Sequence, residues 1–579
     1  MTSGHRPPIG PLSGVRVLDL TDQSAVFATR ILADAGCEVT RVEPPGGDLR
    51  SLAPFLQNQS GPERSLHHLY LNAGKRSVVL NRATPEGQDA FWSLVANADV
   101  IVETERLHHA EVSKRNPSAI HVTVTPFGLE GPRACWRATD LISVAAGGLA
   151  FLCGERDGPP LRPGGDQAHK LAGLAAAAAA VIALAGRDRS ARHPGVHVDL
   201  SVQEVVATST LQTANPSHWA WHGRVPGRPG LGEVYQCADG NWITLAVRPD
   251  RRPAFAAWAE QRGAATSADL RTLTEAGREA AALGSAIRSI VGSVTRPDMM
   301  AAISALDLMG LPVHSIADLR TCEHLDAIAE FAEVPHEHLR QTLRFPRSPV
   351  GELATAGISR APALGEHGRE VLSALTSHPH SGNSAVPPES LDMSTALQGI
   401  RIVDFCWMLA GPLGTRLLAD FGAEVIRVEA GPRAYPDTFP PGTHDPSLGA
   451  FHNSLNTQKR SITIDPRTPG GRELLLDLAS TADVVTNNYR PPAFEKLGFD
   501  DKALRARNPR LINLHMPGTG RSGPWSRIGT FGTMIAGAAG LNYVTGLEYV
   551  VINSTSYRED GTAIRESTDH ILLSLEKRR

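Results

Sequence analysis

The sequence predicts an α/β protein with an open, mainly parallel sheet, a smaller α+β domain, and then a partial repeat of the sheet-bearing domain. Three observations carry this. Two short apolar runs near the start, separated by a helical stretch, read as strand, helix and parallel strand. The same run of residues returns near position 400. Between the two, the texture after Leu200 changes to a hairpin followed by helices.

The elements follow in order. Val15–Leu20 (VRVLDL) is the first strand and Glu38–Glu43 (EVTRVE) the second. Ser77–Leu80 is a third, with a helix from Pro85, and Val100–Glu103 and Ala119–Thr125 are two more. Repeated βαβ units give a Rossmann-like layering of helices on a parallel sheet. No GxGxxG follows the first strand, which disfavours a dinucleotide-dependent oxidoreductase. Leu171–Gly186 is mostly alanine. It falls short of the roughly 20 residues that span a bilayer and reads as a buried, tightly packed helix. Residues 232–245 (GEVYQCADGNWITL) read as a hairpin turning at Asp239-Gly240, and helices run on to about residue 330. Residues 345–375, with Pro346, Pro349 and Pro362, read as irregular. Residues 377–396 are rich in Ser, Pro and His and read as a linker.

Of the 579 residues, 41% are apolar and 20% charged, and the net charge is −3. That is the balance of a soluble globular protein, with no global field for nucleic acid or a membrane surface. Neither is expected as a partner. The opening MTSGHRPPIGPLSG lacks the apolar core of a signal peptide. Cys37, Cys135, Cys153, Cys237, Cys322 and Cys406 form no CxxC pair and stand near no histidines at zinc-ligand spacing. They are expected to be reduced, in a cytoplasmic protein without a metal.

The repeat is extensive. LSGVRVLDLTDQSAVFATRILADAGCEVTRVE (12–43) recurs as LQGIRIVDFCWMLAGPLGTRLLADFGAEVIRVE (397–429), so that Asp19 matches Asp404, Asp34 matches Asp420 and Glu43 matches Glu429. LNAGKRSVVL (71–80) matches LNTQKRSITI (455–464), and NPSAIHVTVTPFGLEGP (116–132) matches NPRLINLHMPGTGRSGP (508–524). A spacing this long marks a repeated domain, not a solenoid unit.

Taken together, LSGVRVLDL, ILADAGCEVTRVEPPGGD, GKRSVVLN, TPEG, GPPLRPGGD before the alanine-rich helix, and APALGEHGREVL resemble the family III CoA-transferases of CaiB/BaiF type. That group includes formyl-CoA transferase, carnitine CoA-transferase and α-methylacyl-CoA racemase. The resemblance covers residues 12–375, and a second, shorter copy covers 397–546. It implies a large domain over 1–205, a small domain over 225–330 and a tail over 331–376 that returns to the large domain. The linker 377–396, a partial large domain over 397–546 and a divergent tail over 547–579 complete the chain. It also implies an enzyme that moves CoA between an acyl-CoA and a carboxylic acid, with CoA as substrate and product. Chains of the family interlock as rings, so a homodimer and an intramolecular pseudo-dimer both stay open.

The family's nucleophile is an aspartate at the start of the alanine-rich helix, and Asp166 in Arg162-Pro-Gly-Gly-Asp166 matches it. A carboxylate is a weak nucleophile and has to be positioned. Gly164 and Gly165 would let backbone approach the thioester and offer N–H groups to an oxyanion. By local sequence alone Asp166 reads as a helix N-cap; the motif around it turns the reading toward a nucleophile. In the racemase branch a histidine precedes this segment, and Thr139 stands in its place. A hydroxyl is a poor base near neutral pH, which favours transfer. His169 reads as a polar residue at a helix start. An α-proton racemase or isomerase, and a CoA-binding protein without activity, remain as alternatives.

Gln23 and Ser24 after the first strand, Lys75, Arg76 and Leu80 around the third, and Thr104 after the fourth match the family's CoA-binding positions. Basic side chains suit the phosphates of CoA. Copy one carries Glu103-Thr104-Glu105-Arg106 where copy two has Asn487-Asn488-Tyr489-Arg490-Pro491, the closer match; acids beside an anionic ligand are unfavourable. Lys459, Arg460, Asn488 and Tyr489 read as the remains of a CoA site in copy two. That copy stops matching after GLNYVTG (540–546). It is expected to lack a nucleophile and to present an uncovered half-core that favours association.

Overall fold

The computed structural model describes residues 9–154, 158–211, 215–223, 234–274, 280–347, 350, 358–377, 390–430, 440, 442–443, 445 and 448–546. The chain forms two compact units, the first drawn from residues 1–150, 166–226 and 323–527, the second from 151–165, 227–322 and 528–579.

The first unit begins with β1 (Arg16–Leu20), α1 (Val26–Asp34), β2 (Glu38–Glu43), α2 (Leu66–Leu71), β3 (Arg76–Val79), α3 (Pro85–Asn97), β4 (Val100–Glu103), α4 (His109–Arg115) and β5 (Ile120–Thr125). It continues through α5 (Asp140–Ala146) and α6 (Leu149–Leu152), and then α7 (Gln167–Arg189), β6 (Val196–Ser201), α8 (Val202–Leu211) and α9 (Asn215–His222). The six strands pair in parallel in the order β3-β2-β1-β4-β5-β6. Strands covered on both faces read as near-continuous apolar runs, and every residue of β4 and β5 is buried. The strand order reverses between β1 and β4, and in open α/β sheets ligands bind beyond the carboxyl ends at such a point.

The 23-residue helix α7 is longer than the apolar run that marks it in the sequence. By length and composition it could cross a membrane. Here Ala168, Ala172, Ala176, Ala180 and Ala183 bury one face against the core of α1 and β5. At Gly173 the approach of α1 is so close that a Cβ would lie 2.8 Å from Phe27 Cβ.

The same unit contains α15 (Glu323–Ala327), an antiparallel hairpin of β10 (Phe331–His336) and β11 (Gln341–Pro346), and α16 (Gly368–Ser377). Residues 345–375 are therefore not irregular throughout: Val371 buries α16 against Phe91 and Leu94. Gly74 N donates to Arg360 O at 3.2 Å and His367 N to Ser77 O at 3.0 Å, which holds this segment beside β3.

The repeat supplies β12 (Arg401–Asp404), α17 (Ala410–Asp420), β13 (Glu424–Glu429), α18 (Ala450–Leu455), β14 (Arg460–Thr463), α19 (Pro469–Ser480), β15 (Val484–Asn487), α20 (Ala493–Lys496), α21 (Asp501–Arg507) and β16 (Ile512–His515). Its parallel order, β14-β13-β12-β15-β16, reproduces the first five strands of copy one. Ile512 and Leu514 on β16 are 61% and 45% exposed, whereas their counterparts Ile120 and Val122 are fully buried under α7. The two copies share a core in which Ile182 of α7 meets Leu397, Ile402 and Ala419. Ala396 is buried in that core as well, so the expected linker is packed at its end. Its residues 378–389 lie outside the described residues.

In the second unit β7 (Val234–Gln236), β8 (Trp242–Ala246) and β9 (Met309–Val313) form an antiparallel sheet with α10 (Arg252–Gln261), α11 (Ser267–Thr274), α12 (Ala280–Val291), α13 (Arg296–Ala305) and α14 (Ile316–Arg320). The hairpin turns at Asp239-Gly240, with Gly240 at φ 77°, as its sequence predicts. The last described helices of copy two, α22 (Gly532–Ala538) and α23 (Leu541–Val544), belong to this unit. His314 beyond β9 donates its N–H to Gly537 O at 3.1 Å. The divergent tail 547–579 lies outside the described residues.

Candidate active site

A buried ion pair anchors the carboxyl end of β1. Asp19, near the end of β1, is completely buried. Its carboxylate accepts from Thr21 N (3.0 Å), Thr21 Oγ1 (2.7 Å), Thr29 Oγ1 (2.8 Å), Arg41 Nη1 (3.2 Å) and Lys75 Nζ (2.8 Å). Burial alone would raise this carboxyl; the charges of Lys75 and Arg41 overcome it and hold the group far below the usual carboxylate range. Lys75 Nζ also donates to Thr29 Oγ1 at 2.8 Å and Asn72 Oδ1 at 3.0 Å. Copy two repeats the arrangement: Lys459 Nζ donates to Asp404 Oδ2 (3.0 Å), Thr415 Oγ1 (2.8 Å) and Asn456 Oδ1 (3.1 Å).

This corrects four of the expected CoA contacts. Lys75 and Lys459 direct their ammonium groups into the sheet, not toward a phosphate. Arg76 and Arg460 open β3 and β14 and so lie at the amino edge of each sheet, away from the crevice; they pair with Glu38 (2.9 Å) and Glu424 (2.8 Å). Leu80 is corrected too, being buried in the core with Phe91 and Val95.

The crevice itself is closed by a clasp between the β1 and β4 ends. Asp22 N donates to Thr104 Oγ1 at 3.0 Å, and Asp22 Oδ1 accepts from Ser24 N at 2.8 Å. In copy two, Trp407 N donates to Asn488 Oδ1 at 2.8 Å, so Thr104 and Asn488 do the same work. Tyr489 is half-buried and stacks on Phe494. The acid ahead of Thr104 does not face the crevice: Glu103 is fully buried, with His121 Nε2 3.4 Å away. His121 stacks with His109 and His197. Glu105 turns outward to Arg82. The charge conflict expected from Glu103 and Glu105 therefore does not arise at the crevice.

Asp166 and Gln23 meet in one cavity of about 250 Å3. Asp166 occupies the N-cap position of α7 in a left-handed conformation, φ 52° and ψ 56°, and its side chain makes no capping hydrogen bond. The capping role belongs instead to Asp140, only 3% exposed, whose Oδ1 accepts from Ala168 N at 2.8 Å and His169 N at 3.2 Å. The orphan donors of a helix start need an acceptor, and here it comes from α5. His169 and Lys170 share this first turn and also line the cavity, with His67 and Tyr70 of α2 opposite. The remaining walls are apolar: Val26 and Phe27 of α1, Leu49, Leu52 and Pro54 of the following loop, and Leu66 and Leu71 of α2. Thr139 is exposed at the start of α5.

The expected oxyanion donor Gly164 is otherwise engaged. Within the second unit its N–H donates to Thr545 Oγ1 at 3.1 Å, and a Cβ there would lie 2.6 Å from Val544. Gly165 is exposed with φ 78°. His67, Asp140 and the leucine walls went unread in the sequence. LHHLYL (66–71) carries a visible signal, two histidines and a tyrosine on a short helix; Asp140 carries only an acid in a first helical turn.

Comparison with known proteins gives a consistent answer. The model of the family described as CoA-transferase family III matches residues 12–368 and again 397–554. A probable CoA-transferase of Mycobacterium tuberculosis is 27% identical over 594 aligned positions, which cover 96% of this chain and 71% of that protein. The succinyl-CoA:(R)-benzylsuccinate CoA-transferase subunit BbsE of Thauera aromatica is 30% identical, over 62% of this chain and 93% of the relative. Among solved structures, a CAIB/BAIF family protein from Brucella suis superposes with a TM-score of 0.55 at 24% identity, covering 63% of this chain and 99% of the other.

Proposed function

Because the chain belongs to CoA-transferase family III and is an enzyme of that class, we propose that it moves CoA from an acyl-CoA to a carboxylic acid through covalent intermediates on Asp166. The observation that carries this is the presentation of Asp166. It lines the crevice cavity on a helix turn whose amides are capped by Asp140 and not by its own side chain.

In the first step a carboxylate oxygen of Asp166 attacks the thioester carbonyl. The C–S bond breaks, CoA leaves as the thiolate, and a mixed anhydride forms. The thiolate then attacks the aspartyl carbonyl of the anhydride, releasing the first acid as its carboxylate and leaving an aspartyl-CoA thioester. The acceptor carboxylate attacks that thioester, giving a second anhydride and free thiolate. Attack of the thiolate on the acceptor's carbonyl yields the new acyl-CoA and restores Asp166. Dividing the transfer this way replaces one difficult step by several easier ones. Asp140 holds the nucleophile's turn, Gln23 offers an amide across the cavity, and the clasp of Asp22 on Thr104 fixes the loop that bears Gln23. CoA is read as lying along this crevice at the β1 and β4 ends.

The shared core of Ile182 with Ile402 and the seating of α22 beside β9 support an intramolecular pseudo-dimer. Six free cysteines fit a reducing, cytoplasmic setting. A second reading, α-proton exchange on an acyl-CoA, draws support from His67 and His169 beside Asp166. One experiment separates the two. The protein is incubated with an acyl-CoA and a second carboxylic acid in D2O, and the products are resolved by mass. A new acyl-CoA without deuterium supports transfer. Deuterium at the α-carbon without a new acyl-CoA contradicts it.

A further inference from the structure

We infer that the acyl group carried by this enzyme is an apolar, monocarboxylic one of about four to eight carbons, seated against Val26, Phe27, Leu49, Leu52, Leu66 and Leu71. The inference rests on the transferase reading above and narrows its substrate.

Volume sets the size. The cavity measures about 250 Å3. An apolar cavity of about 150 Å3 takes a six-carbon benzene ring, so this one takes an acyl chain of about that size or somewhat larger. The lining sets the chemistry. Its charged groups come from one turn: Asp166 and Lys170 are one helical turn apart on α7, with His169 between them. Away from that turn the lining is mostly apolar, with Gln23, His67 and Tyr70 as its polar members, so an acyl chain extending from a thioester at Asp166 meets mainly Val26, Phe27 and leucines.

A second carboxylate reaching the apolar wall would lose its water there, because the lining lysine, Lys170, stands on the turn of Asp166 and not on that wall. The natural clamp is an arginine, which grips a carboxylate through two parallel hydrogen bonds. The nearest arginine in sequence, Arg50 between Leu49 and Ser51, is committed elsewhere. Its guanidinium donates to Glu43 Oε2 (2.7 Å), Glu43 Oε1 (2.9 Å), Glu63 Oε2 (2.8 Å) and Pro362 O (3.1 Å). It is 1% exposed. His67 and Tyr70 offer single hydrogen bonds at the wall, which suit a hydroxyl or nothing at all.

The test is the first half-reaction, read as the rate at which hydroxylamine-trapped product forms on the full-length protein. Acetyl-, butyryl-, hexanoyl-, octanoyl-, decanoyl-, succinyl- and 4-methylpentanoyl-CoA are compared. The last is the decisive probe, because two methyl groups stand where succinyl carries two oxygens. The rate constant kcat/KM should rise about fourfold per methylene up to hexanoyl and fall beyond octanoyl. 4-Methylpentanoyl-CoA should exceed succinyl-CoA at least tenfold. Leu52→Arg should reverse that preference while still trapping product. If succinyl-CoA matches or exceeds 4-methylpentanoyl-CoA on the unaltered enzyme, the apolar assignment is overturned and transfer stands. If none of the seven gives trapped product, the transferase reading falls and this inference with it.

Discussion

Replacing Asp140 by alanine removes the acceptor that holds the first turn of α7. Two hydrogen bonds are lost, from Ala168 N at 2.8 Å and His169 N at 3.2 Å. Ala168 is fully buried, so water does not reach its N–H readily, and an unsatisfied buried donor costs about 1–3 kcal/mol. Loss of a helix cap costs about 0.5–2 kcal/mol by itself, and the two figures describe the same event. A stability loss of about 2 kcal/mol is therefore expected in urea unfolding. The larger effect is on chemistry, because Asp166, His169 and Lys170 all ride on this turn. A displacement of about 1 Å at a reacting group costs about 100-fold in rate. The Asp140→Ala variant should lose this factor in kcat with little change in KM. Asp140→Asn keeps an oxygen acceptor and should recover most of both losses, less the roughly 0.3–1 kcal/mol that a negative charge gains from a helix start. An alanine variant with unchanged kcat and unchanged unfolding would refute the role given to Asp140. An asparagine variant as impaired as alanine would show that charge, not capping, matters here.

Three further predictions concern the scaffold. Lys75→Met leaves Asp19 buried without its closest cation and should destabilise the protein by about 3–5 kcal/mol, with Lys459→Met acting alike on copy two. A raised KM for CoA with unchanged stability would instead place Lys75 on a phosphate. Gly173→Ala forces a methyl to 2.8 Å from Phe27 Cβ and 3.0 Å from Ala28 N. It should cost about 1–3 kcal/mol and alter acyl preference through Phe27; a neutral effect on both would show that α1 moves freely. Stability should also fall as the pH drops below about 6.5. Burial lowers His68 to about 3 and His197 to about 4, so between pH 6.5 and those values the unfolded chain takes up protons that the native state refuses. For fully buried His68 the slope approaches about 1.4 kcal/mol per pH unit. Asp19 and Asp404 are depressed, so their contribution is present above pH 3.8 and lost below it. Equal unfolding free energies at pH 7 and pH 4.5 would contradict the histidine assignment.

The sheet and its repetition were legible because parallel strands covered on both faces leave runs rich in apolar residues, as in Val100–Glu103, and because the segment around Val15–Leu20 returns near position 400. The nucleophile candidate was legible through its glycine-flanked setting, and Gln23 through its place after β1. Lys75 was misread for a physical reason. A basic pair such as Lys75-Arg76 suits the phosphates of CoA, but the partner that turns Lys75 inward, Asp19, lies 56 residues earlier in the chain. Arg76 was misread because a residue that opens a strand lies at the edge opposite the crevice, a fact of strand direction and not of charge. Glu103 looked hostile to CoA, yet strand alternation sends it under the sheet to His121. Asp140 stands 28 residues from one of the amides it caps, and local sequence carries no trace of such a pairing. The cavity walls come from α1, the loop after β2, and α2, so the acyl pocket exists only once these segments pack.

The most direct measurement of the central claim is peptide mass mapping after reaction with an accepted acyl-CoA in the presence of hydroxylamine. An anhydride or thioester on an aspartate is converted to its hydroxamate, which changes the mass of one peptide. The account predicts that change on the peptide containing Asp166, its absence in Asp166→Asn, and its dependence on acyl-CoA. Turnover of acyl-CoA with no hydroxamate on Asp166, or an undiminished signal in the asparagine variant, would contradict it.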